Sequence, residues 1–250
     1  MDLVVDAMHV GTDERTWLTS RRLAELPPLR IAPPGRLVIV APHPDDEVLG
    51  AGGLLQSMHD LGVELEVVAV TDGEGSHPLA HASGVDIASR RALESAVALD
   101  RLRCRPVAIT RLGLLDGEVA SEIGRLTEVL SDLLGPDDLC LTPWRSDGHP
   151  DHDAAGAATL AAAAATGTPV LEYLVWTWHW ASPDDVIVPW ANCRRFDLDS
   201  AQRARKRWAI EAFTSQVSRR DSELQEEPVL PESVLQRFRR PFEVFIEACE

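Results

Sequence analysis

Short apolar runs alternate with stretches of helical spacing along most of this chain, and that alternation limits its fold more than any other feature. "RLVIVA", "ELEVVAVTDG", "PVAITRLG", "DDLCLTPW" and "PVLEYLVWTWHW" read as five strands. Helical patterns separate and follow them: "EVLGAGGLLQSMHDLG", "DIASRRALESAVALDRL", "VASEIGRLTEVLSDLLG", "HDAAGAATLAAAAATG" and "SAQRARKRWAIEAFTSQ". Strand followed by a helix of ten or more residues is the pattern of βαβ units around a parallel sheet. The expectation is a Rossmann-like three-layer α/β/α fold with a mostly parallel sheet. Residues 1–35 end in "LPPLRIAPPG", whose prolines disfavour helix, so they are expected to be an extended N-terminal lead-in. Residues 36–250 are then a single α/β domain, and 45% hydrophobic content is enough for its core.

The formal net charge of −16, from 40 acidic and 24 basic residues, disfavours nucleic acid as a partner, because phosphate backbones would be repelled. No apolar stretch is long enough for a transmembrane helix. The N-terminus lacks the basic-then-apolar pattern of a signal peptide. Cys104, Cys140, Cys193 and Cys249 are widely spaced and form no CxxC pair, so reduced thiols and a cytoplasmic location are expected. Cys104 and Cys140 lie in or beside apolar runs and read as core filler.

Where the first strand ends, "APHPDDEVLGAGG" puts His43, Asp45, Asp46 and Glu47 within five residues. In open α/β sheets, ligands bind beyond the carboxyl ends of the strands, so this cluster sits where a site belongs. Pro42 and Pro44 restrict the turn. The fourth strand is followed by "SDGHPDHDAAG", which repeats His-Pro-Asp at His149, Pro150 and Asp151 and continues to His152. Residues three apart can share one face of a turn, as His43 and Asp46 do, and His149 and His152. Imidazole and carboxylate are zinc ligands, and three of them leave a coordination position open for chemistry. The preferred set is His43, Asp46 and His152 around one zinc ion. Asp45 is then available as a general base, since zinc lowers the pKa of water to about 7. His149 is expected as the acid or oxyanion donor, and Asp151 as the group that fixes the His149 tautomer. Glu47 reads most simply as a helix N-terminal charge.

These motifs resemble the signatures of the PIG-L, or LmbE-like, zinc-dependent N-deacetylases: "APHPDDEVLGAGG" the first and "HPDHDAAG" the second. "LGLLDGEV", "RALE" and "KRWAIEAFTSQ" are similar to three further elements, so the likeness runs from about Arg36 to Gln216. It implies removal of an acyl group, usually acetyl, from the amine of an N-acetylglucosamine-type sugar or glycoside. It implies the same zinc ligands, the same base and the same donor, and adds Arg91 and Asp116 as substrate contacts. The chain departs from the family in carrying Pro42 where alanine usually precedes the histidine. Its only tyrosine is Tyr173, so oxyanion help must come from His149, zinc or a backbone amide. One alternative is an amidase cleaving a thiol-sugar conjugate of the mycothiol type. Others are an iron(II) oxygenase using the same two-His-one-carboxylate ligands, or a non-catalytic binding module. Association with further copies of the chain stays open.

Other features have bland explanations. Strand alternation would put Trp176, Trp178 and Trp180 on one side and His179 on the other, as a sugar-facing wall or a packed core face. "RARKRW" is the single basic concentration and reads as a solvated helix face. Thr71 to Asp86 is a long polar loop that could cover the site; its His77 and His81 read as solvated. Gly50, Gly52 and Gly53 lack the spacing of a dinucleotide fingerprint.

Overall fold

A computed structural model of the chain describes residues 11–77, 85–218 and 228–248. Cys249, His81 and the middle of the Thr71–Asp86 loop lie outside the described residues, as do residues 1–10 of the lead-in. In chain order the elements are α1 (Glu14–Leu18), α2 (Arg21–Ala24), β1 (Arg36–Ala41), α3 (Asp46–Asp60), β2 (Glu64–Thr71), α4 (Ile87–Arg101) and β3 (Ala108–Leu114). They continue with α5 (Ile123–Leu133), β4 (Asp138–Pro143), α6 (Pro150–Thr166), β5 (Val170–Tyr173), α7 (Thr177–Trp180) and β6 (Cys193–Asp197). The last are α8 (Ser200–Ile210), α9 (Thr214–Val217), α10 (Glu232–Leu235) and β7 (Phe242–Glu247).

The seven strands form one sheet in the order β3-β2-β1-β4-β5-β7-β6. The first five are mutually parallel; β7 runs antiparallel to β5 and to β6. Helices cover both faces, as the βαβ reading requires. Alternation along β1 divides the core: Leu37 and Ile39 face one cluster, with Ala98 of α4 and Ala209 of α8, while Val38 and Val40 face the other, with Leu126 and Leu130 of α5. Truncating a fully buried residue such as Ile39 to alanine would cost about 2–5 kcal/mol. Arg36 ties the strand starts together by donating to Asp138 and Glu66.

Strand order reverses between β1 and β4, which pair in register from Arg36↔Asp138 to Ile39↔Leu141. That reversal opens the crevice where α/β sheets bind ligands. The two His-Pro-Asp turns follow these two strands, so sheet topology brings residues about a hundred apart to one place.

The structure departs from expectation in several segments. Within residues 1–35, Asp13 and Ser20 cap two short helices, and Trp17 enters the core fully buried against Trp178, with ring centroids 5.1 Å apart. The predicted fifth strand stops at Tyr173, and Thr177–Trp180 is a helical turn. Strand alternation therefore ends there: Trp178 is in the core, Trp180 stacks on Trp144, and Trp176 alone of the three lines the central cavity. The predicted helix over residues 200–216 is two helices, α8 and α9, separated by Glu211–Phe213. Strands β6 and β7 were not anticipated. In the basic run, Lys206 is buried and pairs with Glu243 at 2.5 Å rather than facing solvent. His77 is also buried, with Nδ1 2.9 Å from the Ser76 hydroxyl.

Candidate active site

The turn after β1 is held in an unusual shape. Asp46 opens α3, and its carboxylate accepts the His43 backbone N–H at 2.9 Å. Pro42 carbonyl accepts both the amide and the hydroxyl of Thr71 at the end of β2. Between them Asp45 has φ 145°, ψ −28°, a region that side-chain-bearing residues rarely occupy. Such strain persists only where the surroundings over-determine it. Arg91 of α4 supplies part of the constraint: it donates to the Pro44 carbonyl at 2.9 Å, the Gly73 carbonyl at 3.0 Å and the Asp45 carboxylate at 3.1 Å. The Asp45 backbone N–H donates to Glu47 at 3.0 Å, and Glu47 in turn accepts from the Ser95 hydroxyl at 2.6 Å.

The turn after β4 starts α6. His149 is the N-cap, and its Nδ1 accepts the Asp151 backbone N–H at 3.2 Å. That bond leaves Nε2 to carry the ring proton. Pro150 suits the first helical position. Helix α6 can lie close against the β4 turn because residue 156 is glycine; a Cβ there would stand 2.6 Å from the Pro143 carbonyl oxygen. Gly50 gives the same freedom on α3, where a Cβ would stand 2.2 Å from the Tyr173 ring. Tyr173 is fully buried and donates its hydroxyl to the Val40 carbonyl, so it takes no part in the cavity.

His43, Asp46 and His152 meet at one point. His43 Nδ1 lies 3.3 Å from Asp46 Oδ2 and 3.3 Å from His152 Nε2, and His152 Nε2 lies 3.2 Å from Asp46 Oδ2. A tetrahedral ion with bonds of about 2.0–2.1 Å separates its ligands by roughly 3.3–3.4 Å, so this triangle fits zinc. The far nitrogen of each imidazole faces carboxylate: His152 Nδ1 is 2.9 Å from Asp147, and His43 Nε2 is 3.1 Å from Asp151 and 3.2 Å from Asp116. Carboxylates behind metal-binding imidazoles fix their orientation and tautomer. Two other groupings also bring ligand atoms within 4.8 Å of one another: His43 with His149 and His152, and His43 with Asp116 and Asp151. The first would use His149, whose Nδ1 is engaged by a backbone amide. The second uses the outward side of His43.

The electrostatics agree with a cation at this point. Burial opposes ionisation of Asp46, but the charge and hydrogen bonds of His152 and His43 outweigh it and hold its carboxyl well below the usual range. Burial likewise opposes a charged His152, yet Asp46 and Asp147 raise it to about 9. The carboxylates thus favour positive charge where the three donors converge. Burial pushes Asp45 up to about 7 against the pull of Arg91. Burial, with His152 and His43 nearby, lowers His149 to about 3, so its ring is a neutral hydrogen-bond donor.

A cavity of about 270 Å³ opens over these groups. Its lining includes His43, Asp45, Asp46, Arg91, Asp116 and His149. Trp176 stacks beside His149, 6.3 Å between centroids, and with Leu49, Val175, Val229 and Leu230 gives the cavity an apolar side. Arg91 and Asp116, expected as substrate contacts, both line it, but Arg91 is engaged with the Asp45 turn and Asp116 with His43 and the Gly75 amide. The expected hydrogen bond between Asp151 and His149 is made by the Asp151 backbone amide and not by its carboxylate. The backbone amides of Gly117 and Val119 draw that carboxylate toward His43, and only the Asp151 amide reaches His149. Sequence reasoning missed Asp147 altogether. It is fully buried and accepts from His152 Nδ1, the Thr177 hydroxyl and three consecutive backbone amides, Val175 to Thr177. An acid two residues before a His-Pro-Asp turn was the available signal.

Comparison with known proteins agrees with this geometry. The family described as PIG-L: GlcNAc-PI de-N-acetylase matches residues 38–163, just over half of the chain and both turns. Diacetylchitobiose deacetylase of Thermococcus kodakarensis is 27% identical over 141 residues, 54% of this chain and 51% of that protein. The chain therefore matches about half the length of this curated relative. Among solved structures, the A40926 pseudoaglycone deacetylase Dbv21 is 25% identical, with a TM-score of 0.62 over 86% of this chain and 99% of that one. N,N'-diacetylchitobiose deacetylase from Pyrococcus horikoshii shares the fold at 22% identity and a TM-score of 0.57, over 73% of this chain and 71% of its own. With both signature turns inside the matched region and their side chains converging on one point, this chain belongs to the PIG-L family of N-deacetylase hydrolases.

Proposed function

We propose that this protein is a zinc-dependent hydrolase that removes an acetyl group from the amine of an N-acetylglucosamine-type sugar or glycoside. The observation that carries the reading is the His43–Asp46–His152 triangle of 3.2–3.3 Å edges, with Asp45 and His149 lining the same cavity. Zinc bound there would supply Lewis-acid polarisation of the amide carbonyl and a lowered pKa for water. Asp45 accepts a proton from the attacking water at its carboxylate as the new C–O bond forms. It returns that proton to the nitrogen as the C–N bond breaks, so the products are the free amine and acetic acid, which releases its remaining proton to solvent as acetate. His149, protonated at Nε2, donates a hydrogen bond to the oxygen on which negative charge develops. Arg91 keeps the Asp45 carboxylate oriented. Trp176 offers a flat apolar surface to a sugar ring or its aglycone.

The test is acetate release from N,N'-diacetylchitobiose, free N-acetylglucosamine and N-acetylated glycosides, with zinc-loaded protein and its Asp45→Ala variant. The reading expects acetate from at least one substrate, stoichiometric zinc in both proteins, and a loss of about 10²–10⁴-fold in rate for the variant. Full activity in Asp45→Ala would remove the base assignment.

A further inference from the structure

Glu47 is a helix N-terminal charge, in the first turn of α3 with its carboxylate on the N-cap amide of Asp45, and its surroundings give it more to do. It is 1% exposed, and both carboxylate oxygens are occupied, one by the Asp45 amide and one by the Ser95 hydroxyl. Among the described residues no ion pair holds it; burial pushes its carboxyl up, and the Ser95 hydroxyl and the backbone amides oppose that shift. Arg91 and Ser95 are four apart on α4 and so share one face. That face grips the Asp45 turn twice: Arg91 holds the Pro44 carbonyl and the Asp45 carboxylate, and Ser95 holds Glu47, which holds the Asp45 amide. What they grip is the residue at φ 145°, one of two non-glycine residues with positive φ among those described.

We infer that Glu47, braced by Ser95, is a positioning residue that keeps the Asp45 backbone in its strained conformation and so directs the carboxylate into the cavity. The inference rests on the reading of Asp45 as base. Without the carboxylate of Glu47, the Asp45 amide loses its acceptor and the peptide is free to relax toward negative φ. The base would then turn away while the triangle of His43, Asp46 and His152, fixed by other bonds, stays intact. Glutamine can replace Glu47 in this role, its amide oxygen facing the Asp45 N–H and its NH₂ facing the Ser95 oxygen.

The test compares Glu47→Leu, Glu47→Gln, Ser95→Ala, Asp45→Ala and the two double variants Glu47→Leu/Asp45→Ala and Ser95→Ala/Asp45→Ala. Each is assayed zinc-loaded for acetate release from the N-acetylated substrate that the wild type turns over fastest, and crystal structures of the single variants are determined. Glu47→Leu is expected to lose about 10²-fold in kcat, the scale of a small misplacement of a reacting group. Its KM should stay within about twofold and its zinc content unchanged, while Glu47→Gln keeps most of the activity. In the Asp45→Ala background the Glu47→Leu cost should nearly vanish, because the residue it serves is gone. If Glu47→Leu does not fold, Ser95→Ala carries the test, with a smaller kcat loss of about tenfold that likewise vanishes without Asp45. The structures should show Asp45 relaxed from φ 145° in Glu47→Leu and retained in Glu47→Gln. Costs that multiply in the double variants, or Asp45 unmoved in Glu47→Leu, would overturn the inference. An Asp45→Ala variant with full activity would instead overturn the base reading beneath it.

Discussion

Replacing Asp147 by asparagine should weaken zinc binding although Asp147 touches no metal. One carboxylate oxygen, Oδ1, accepts from the Val175 and Thr177 amides and the Thr177 hydroxyl at 3.1, 2.9 and 2.6 Å. The other, Oδ2, accepts from His152 Nδ1 and the Trp176 amide, each at 2.9 Å. An asparagine has one oxygen, and three donors against two will keep it on the Oδ1 side. Its NH₂ group then faces His152 Nδ1. That nitrogen can only accept, so the ring proton moves to Nε2, the atom 3.2 Å from Asp46 and 3.3 Å from His43. A protonated Nε2 cannot ligate. Loss of such a supporting carboxylate costs about 10–100-fold in metal affinity, or roughly 1.4–2.7 kcal/mol. The Trp176 amide is also left facing a donor, at about 1–3 kcal/mol of folding stability. In a chain of this size that is a fall of about 2–4 °C in Tm per kcal/mol. Competition titration against a chelator measures the zinc Kd, and thermal melts with and without zinc separate the two effects. A variant that melts lower but binds zinc as tightly as the wild type would refute the tautomer argument.

His149→Ala should lower kcat by about 10²–10³-fold with little change in zinc content, as expected for an oxyanion donor; an unaltered kcat in steady-state acetate release would exclude the role. Gly156→Ala should destabilise by about 1–3 kcal/mol in urea, since the Pro143 carbonyl it would meet is backbone and cannot swing away; an unchanged midpoint would show that α6 shifts freely. Burial disfavours a charged Asp138, but Arg36 and the Gly135 amide outweigh it and hold its carboxyl below its ordinary value. Its ionisation therefore stabilises the fold fully above about pH 4, and that contribution is lost as pH falls through the depressed folded value. Asp138→Asn should flatten the fall in urea midpoint below pH 4, and an unchanged slope would count against the ion pair.

Much of the site was legible because its residues cluster at strand ends. The apolar run before His43 and the one before His149 each stop abruptly at a proline-bearing acidic turn, and a parallel sheet brings such turns together. The partners that orient the site were less legible. Asp151 meets His149 through its backbone amide, while the amides of Gly117 and Val119, more than thirty residues earlier, decide where its carboxylate points. The tryptophan-rich segment shows the same effect on secondary structure. "LVWTWHW" has the alternation of a strand, yet the amides of Val175, Trp176 and Thr177 all donate to one buried carboxylate, and a segment so engaged cannot extend the sheet ladder. Trp17 was hidden for a simpler reason. Two capped turns lie within a stretch whose prolines dominate its appearance, and what packs them on the core is distant in sequence: Trp178, which takes the Trp17 ring and its indole N–H, and Arg240, which donates twice to Glu14.

Anomalous diffraction at the zinc absorption edge, on crystals grown with the metal, tests the account most directly. One peak is predicted within about 2.0–2.2 Å of His43 Nδ1, an Asp46 carboxylate oxygen and His152 Nε2, with Asp147 and Asp151 behind the two imidazoles. A peak among His43, Asp116 and Asp151 instead, or no peak at saturating zinc, would contradict it.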